Sequence, residues 1–599
     1  MNIRINIIMK PCLPRWTPAA IVLIAGSTNS FAAGLFGASF ELSSLNGTNG
    51  FVCNGIDAGD RSGNFISSAG DINGDGIDDL IIGASRADKY EQDAAGETYV
   101  IFGGVGVGAG GTLELSSLNG SNGFVYNGVD SNDRSGSSVS SAGDINGDGI
   151  GDLIIGASLA NPNGQYSAGE SYVVYGAVGI GSGGTLELSS LNGTNGFVCN
   201  GIDVNDRSGI SVSGAGDVNG DGIGDLIIGA FGADPNGRTS SGESYVVFGA
   251  AGIGAGGTLE LSSLNGTNGF VCNGIDAWDY SGASVSSAGD VNGDGFDDLI
   301  IGAKFSDPNE QNNAGESYVV FGGVGVGAGG SLELSSLNGM NGFVCNGIDR
   351  NDFSSEPVSS AGDVNSDGFD DIIIGAHNAS PNGASQGGES YVVFGAMDVG
   401  SGGTLNLSTL NGINGFACNG IDMRDFSGNS VSSAGDVNGD GFGDLIIGAP
   451  FADPNEHIDV GEAYVVFGAA GVGSGGTLDL MSLNGQNGFV LNGIDTGDVC
   501  GFVSSAGDVN GDGISDFIIG APDADPNGQD GAGESYVVFG RKPCPADLNA
   551  DGVVDTADLG IVIGQFGTPG PGADINGDGT VDTADLGVLI GAFGTTSCD

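Results

Sequence analysis

Seven times along the chain an aspartate opens a segment of the form Asp-x-Asn-x-Asp-Gly-x-x-Asp. Positions 1, 3, 5, 7 and 9 are Asp71, Asn73, Asp75, Ile77 and Asp79 in the first copy, and Asp144, Asn146, Asp148, Ile150 and Asp152 in the second. They are Asp217, Asn219, Asp221, Ile223 and Asp225, then Asp290, Asn292, Asp294, Phe296 and Asp298, then Asp363, Asn365, Asp367, Phe369 and Asp371. The last two copies are Asp436, Asn438, Asp440, Phe442 and Asp444, and Asp508, Asn510, Asp512, Ile514 and Asp516. Three carboxylates, one amide and the backbone carbonyl of position 7 form an oxygen donor set, and the glycine at position 6 supplies the sharp turn. A hard cation of calcium's size takes such a set, whereas magnesium demands tighter octahedral geometry and more water. No thiolate or imidazole cluster suggests zinc, and the chain has only two histidines, His377 and His457. Asn-Gly and Asp-Gly alone favour hairpin turns, but a bare turn has no need of the ninth residue.

Two further segments near the C-terminus carry the same donors with an added acid at position 12. They are Asp547, Asn549, Asp551, Val553, Asp555 and Asp558, and Asp574, Asn576, Asp578, Thr580, Asp582 and Asp585. After each comes an apolar helical stripe, Leu559, Ile563 and Phe566 and its copy Leu586, Ile590 and Phe593, spaced i, i+4, i+7. The spacing predicts two loop–helix units and about nine Ca²⁺ sites in all.

The elements that hold these loops follow from the repeat. The first aspartates are 73 residues apart five times and 72 once, and a long fixed period marks a repeat architecture. Within one unit "SVSSAGD" alternates and enters the acidic loop, "DLIIGA" is apolar on both faces, and "GESYVVFG" and "GFVCNGID" follow. Four short antiparallel strands per repeat make a propeller blade, so the chain is expected to be all-β, a seven-bladed ring with a small α-helical calcium-binding domain behind it. "GFVxNG" precedes the first acidic loop, and the last repeat lacks it. Residues 50 to 56 are therefore expected to complete the last blade and close the ring, removing unpaired sheet edges. The boundaries read as 1–33 for a signal peptide, 34–540 for the propeller and 541–599 for the C-terminal domain.

The formal charge is −60, which repels phosphate backbones and anionic lipid, so nucleic-acid and membrane-surface partners are not expected. Arg4, Lys10 and Arg15 precede and flank a short apolar core, Ala19 to Gly26, followed by small residues. That pattern is an export signal, and the core falls short of the ~20 residues that span a bilayer. No transmembrane segment is expected once it is removed, and the protein is expected outside the cell or at its surface. Cys53, Cys199, Cys272, Cys345 and Cys418 share one repeat position, filled by Tyr126 and Leu491 in the other copies. A slot that accepts all three is an apolar packing slot, so these read as buried thiols. Cys544 and Cys598 bracket the C-terminal segment and are candidates for a disulfide in the oxidising compartment that export implies.

"AGDVNGDGFDDLIIGA" and "GESYVVFG" resemble the FG-GAP repeat, the blade unit of the integrin α-subunit propeller. The likeness covers about residues 40 to 540, although Ser62-Gly63 and Ser281-Gly282 replace Phe-Gly, and Gly-Ala-Pro survives only at 448–450 and 520–522. The segment from Cys544 to Cys598 resembles the dockerin module of bacterial extracellular assemblies. The resemblance implies a cohesin-like partner docking at Thr556, Ala557, Thr583 and Ala584, where "TADLG" is identical in both halves.

No catalytic constellation stands out, and Glu97, Glu170, Glu243, Glu316, Glu389, Glu462 and Glu534 recur once per repeat, which reads as structural. The expected function is an exported calcium-loaded propeller for binding, adhesion or display of an unknown protein or glycan ligand, anchored through its tail. The alternatives are a carbohydrate-active enzyme or lectin delivered by that tail, and a self-associating surface-layer component.

Overall fold

The computed structural model describes residues 36–88, 92–542, 544, 546–548, 554–568, 573–576 and 579–594. The signal reading at 1–33 and the candidates Asn549, Asp551, Val553, Asp578 and Cys598 lie outside them. The first elements are β1 Ser39–Glu41, β2 Gly50–Asn54, β3 Phe65–Gly70, β4 Asp79–Ala84, β5 Glu97–Ile101, β6 Thr112–Glu114 and β7 Gly123–Asn127. The β3–β7 unit then recurs through the chain, and seven separate sheets result. Two helices close the described part, α1 Thr556–Gln565 and α2 Thr583–Gly591.

Each repeat lays one strand innermost (β3 in the first), and the innermost strands of successive blades lie side by side around the axis. The second strand is buried at all six positions, as in "DLIIGA" of β4, because blade packs on blade over both of its faces. Burying Leu80, Ile81 and Ile82 of that strand stabilises by roughly 1.5–3 kcal/mol for each. Closure occurs as expected: β2 pairs antiparallel with Glu534–Val538, with Phe51 opposite Val537 and Cys53 opposite Ser535. Gly50, at φ +134°, lets the strand enter there, since a Cβ would sit 2.1 Å from the carbonyl of Val537.

The blades have five strands rather than the four expected from sequence. Each connection before the fourth strand crosses to the preceding blade and adds a three-residue parallel strand to its outer edge, as β6 does on β2. Such a strand is too short to show periodicity, and its partner lies 60 residues upstream. An amide clips the pair, Asn54 Nδ2 donating to Glu114 Oε1 at 2.8 Å. At the seam β1 does the same for the sixth blade, pairing with Val490–Asn492, so the N-terminal segment ties two blades. Cys53, Cys199, Cys272, Cys345, Cys418 and Cys500 are buried free thiols, in agreement with the packing-slot reading.

Candidate metal centre

The acidic loops join the innermost strand to the second strand of each blade. A register shift between Ser68 and Gly70 marks a bulge at the loop entrance, which re-aims the chain at the site. In the first loop Asp71 Oδ1 accepts from the N–H of Gly74 at 2.7 Å and of Asp75 at 3.0 Å, and Oδ2 accepts from Gly76 at 2.8 Å. Asp75 Oδ1 accepts from Ile77 N–H at 3.0 Å. Asp79, the first residue of β4, receives Ile72 N–H on Oδ2 at 3.1 Å and Gly103 N–H on Oδ1 at 2.8 Å. The same bonds to the ninth residue recur in all seven loops, for example Val364 to Asp371 and Gly395 to Asp371.

The ninth aspartates are fully buried in every loop, from Asp79 to Asp516. Burial, with repulsion from the aspartates at positions 5 and 1, pushes Asp79, Asp298, Asp371 and Asp444 up to about 8 and Asp152 and Asp225 to about 7. Asp516 rises well above its ordinary value for the same reason.

The donors at positions 1, 3 and 5 differ in their present partners. In the first loop Asn73 Nδ2 donates to Asp79 at 3.2 Å. In the sixth, Asn438 Oδ1 accepts from Asp440 N–H at 2.9 Å. In the fifth, Asn365 Oδ1 is buried and has no hydrogen-bond donor. An amide oxygen orphaned among carboxylates is costly and is the position a cation would occupy with profit to every neighbour. Among the described residues no three acidic, histidine or cysteine side chains converge closely enough to grip a metal without adjustment. Backbone N–H groups hold the carboxylates instead, and the chemistry of the donors fits a hard divalent cation.

A second set of buried acids, missed in the sequence reading, lies at the other end of the blades. Asp60, Asp133, Asp206, Asp279, Asp352, Asp425 and Asp498 are each at most 8% exposed, and burial raises each to about 7. Their 73-residue spacing was the available signal. The recurrent glutamates sit beside them, and Tyr99 Oη donates to Glu97 at 2.6 Å, as Tyr172 does to Glu170. Each is thus tethered to a buried tyrosine, which supports the structural reading.

These raised values fix the sign of a pH effect. The folded chain holds protons between about pH 8 and the ordinary carboxylate value of 3.8 that the unfolded chain has released. Stability therefore rises as pH falls through that window. The metal-free protein is expected to melt higher at pH 6 than at pH 8, and saturating calcium is expected to oppose the trend because protons compete with the ion. Calorimetry with and without chelator checks this; a metal-free melting temperature lower at pH 6 than at pH 8 contradicts the burial of these acids.

In the C-terminal domain the position-12 acids cap the helices. Asp558 Oδ2 accepts from Asp555 N–H and Oδ1 from Leu548 N–H, both at 2.8 Å. Asp585 accepts from Asp582, Ile575 and Asn576, so each loop is folded back onto its own helix. Asp555 and Asp582 are the N-caps, and Asp574 accepts from Gly579 N–H at 2.7 Å. The predicted helical stripe is corrected: Val562 and Leu589 are buried, with Leu559 and Leu586 partly so, whereas Ile563, Phe566, Ile590 and Phe593 are 45–61% exposed. The core of so small a domain is reached by one helix position per turn, and the rest of the apolar stripe faces out. Thr556, Ala557, Thr583 and Ala584 are exposed. Cys544 is disulfide-bonded.

Residues 63–101, 135–174, 208–247, 281–320, 358–393, 427–467 and 501–538 match the FG-GAP repeat family, and residues 545–594 match the dockerin type I domain. The chain is an FG-GAP repeat propeller with a dockerin domain. The FG-GAP propeller is 29% identical over 241 residues to integrin alpha pat-2 of Caenorhabditis briggsae, which is 40% of this chain and 17% of that protein. It is 31% identical over 190 residues to phosphatidylinositol-glycan-specific phospholipase D of Dictyostelium discoideum, 31% of this chain and 19% of that one. The matched region thus spans less than a fifth of the length of these curated relatives. Among solved structures, BBS1N in complex with ARL6DN aligns over 82% of this chain and 97% of its own, at 9% identity and a TM-score of 0.40. No helix of the described residues is long and apolar enough to cross a membrane.

Proposed function

We propose that this protein is an exported, calcium-loaded propeller that binds or displays a ligand and is fastened to an extracellular assembly by its dockerin domain. The observation that carries the reading is the joining of seven FG-GAP repeats and one dockerin domain in a single chain. The domain division at 33 and 540 belongs to the same reading. Calcium is supported by the seven oxygen donor sets, by the buried ninth aspartates and by the orphaned Asn365 Oδ1. The ion would be held by positions 1, 3, 5, 7 and 9 of each loop, and by Asp547, Asp555 and Asp558, or Asp574, Asn576, Asp582 and Asp585, in the tail. Bound there, calcium supplies positive charge that offsets clustered carboxylates; the chain's own residues supply the shape. Chemistry of its own is not part of the proposal, since the sevenfold glutamates are engaged with tyrosines.

The tail is proposed to dock a cohesin-like partner through Thr556 and Ala557 or Thr583 and Ala584, together with exposed Ile563 and Ile590 two turns further along the same helices. Because the two helices begin with identical residues, either can face the partner. A pull-down with an immobilised cohesin tests this on the full chain and on one lacking residues 541–599. Ile563→Glu or Ile590→Glu alone is expected to weaken capture only a few-fold, and the double substitution to abolish it, a loss of about 3 kcal/mol or more. Capture that survives the double substitution would remove the docking assignment.

A further inference from the structure

Antiparallel strands place successive loops at alternate ends of a blade. The acidic loops therefore occupy one end, and the loops joining second to third strand and fourth to innermost strand occupy the other. Every Lys and Arg described between residues 36 and 540 lies in loops of that second end, from Arg61 and Arg86 to Lys304 and Arg424. Arg541 and Lys542, just after the last blade, are the described exceptions and lie against the sixth acidic loop at Val437 and Gly439, in a chain of net charge −60.

Two positions per repeat build a rim there, and they vary while the strands around them barely change. One follows each buried Asp60-type aspartate and has left-handed backbone, with φ of 55° at Arg61, 56° at Arg134, 57° at Arg207 and Tyr280, 53° at Phe353 and 54° at Phe426. Bulky side chains in that region are strained, and strain of this kind collects at functional sites. The second lies just after the second strand, where Arg86, Phe305 and Phe451 share one repeat position and Phe231 sits one residue earlier in its own repeat.

The rim has two halves. Burial, and after it the nearby charges of Arg61 and Arg134, hold the Arg86 guanidinium below its usual range. Arg61 is already paired with Asp523 at 2.8 Å, whereas Arg86, Arg134 and Arg207 point to solvent. Arg207 reaches the Phe231 ring at 5.5 Å, where the aromatic half begins. Ring follows ring from there: Phe231–Tyr280 at 5.2 Å, Tyr280–Phe305 at 5.2 Å and Phe305–Phe353 at 5.5 Å, on through His377 to Phe426 and Phe451. These rings are half-buried, and Trp278 beside Tyr280 is 58% exposed.

We propose that this rim binds an acidic polysaccharide, Arg86, Arg134 and Arg207 pairing with uronic-acid carboxylates while Tyr280, Phe305 and Phe353 stack on pyranose faces. Guanidinium groups take carboxylates in bidentate geometry, and half-exposed rings offer flat apolar faces to the C–H faces of sugars. The overall negative charge does not forbid this. Acids share this end, Asp57, Asp88, Asp130 and Asp203 among them, but Arg86 feels Arg61 and Arg134 more strongly than Asp523, so the guanidinium cluster is the local field. The acidic loops lie about 20 Å away, beyond the ~8 Å screening length of physiological salt. A peptide fits less well. The outer strand of each blade offers only a three-residue edge, and the rim has shallow rings where peptide recognition uses pockets or long edges.

The inference deepens the binding role proposed above and rests on it. Trp278 is the only tryptophan beyond residue 33, so its fluorescence reports the rim in the unaltered, calcium-loaded protein. Titration with a short oligogalacturonate is expected to change that fluorescence and to retard the protein in affinity electrophoresis, whereas a neutral oligogalactan of equal length does neither. R86A with R134A is expected to weaken binding about tenfold or more, and Y280A with F305A likewise, each at an unchanged melting temperature. Asp398→Asn, on the opposite end and outside every oxygen donor set, leaves it unchanged. Absence of both signals, equal binding of the neutral sugar, equal binding of poly-glutamate, or indifference to the arginine pair would each overturn the proposal. If cohesin capture persists and the propeller retains a protein ligand while the sugar assays are empty, the binding role stands and this assignment falls.

Discussion

Chelation of divalent cations from the intact protein is expected to lower its melting temperature by about 10 °C or more. The reasoning starts from the loops. Each gathers three carboxylates within nine residues, the ninth fully buried, and no basic side chain of the described propeller lies in these loops. Without a cation, each loop repels itself and leaves a desolvated acid. At ten times its dissociation constant an ion contributes about 1.4 kcal/mol. Seven independent loops then contribute about 10 kcal/mol, comparable to the stability of a whole domain. For a domain of ~500 residues this corresponds to at least about 1 °C per kcal/mol. Differential scanning calorimetry with chelator, followed by restoration of calcium, measures it. A reversible fall of only a degree or two would mean that the loops are hydrogen-bonded turns and not metal clamps. Asp290→Ala should remove about a seventh of the effect, because the loops are built on separate blades and distant sites add.

Loss of the closing strand should be more damaging still. β2 contributes five paired residues to the last blade, and its Phe51 and Cys53 are fully buried against Phe539 and Val537. Phe51→Ala should cost about 3–5 kcal/mol, the range for emptying a buried aromatic site. Deleting residues 36–54 goes further, since it removes strands from two blades and bares the edge of Glu534–Val538. An open propeller with such an edge is expected to aggregate or to exchange strands with another copy. Size-exclusion chromatography with light scattering distinguishes the outcomes. A deletion variant that stays monomeric with an unchanged melting temperature would show that the ring does not depend on this closure.

Much of this was legible in the residues themselves, for physical reasons. A fixed 73-residue period and an apolar six-residue run can be satisfied only by repeated, doubly covered strands, so blade number and the role of "DLIIGA" follow from local chemistry. The spare "GFVCNG" at Gly50 leaves the last blade one strand short, which makes closure a matter of counting. The acidic loops are equally local, since every donor lies within nine residues. Other features depend on where distant chain meets. The fifth strand of each blade appears only when Thr112–Glu114 finds Val52–Asn54 across a blade boundary. Whether Ile563 is core or surface is decided by what α2 leaves uncovered. The rim joins different positions of adjacent repeats, such as Phe305 and Phe353, whose proximity arises from ring geometry and not from spacing. Short-range pattern thus set the strands, the turns and the oxygen donors. Tertiary structure alone decided which ends of the strands share a face, because that depends on the closing of the ring.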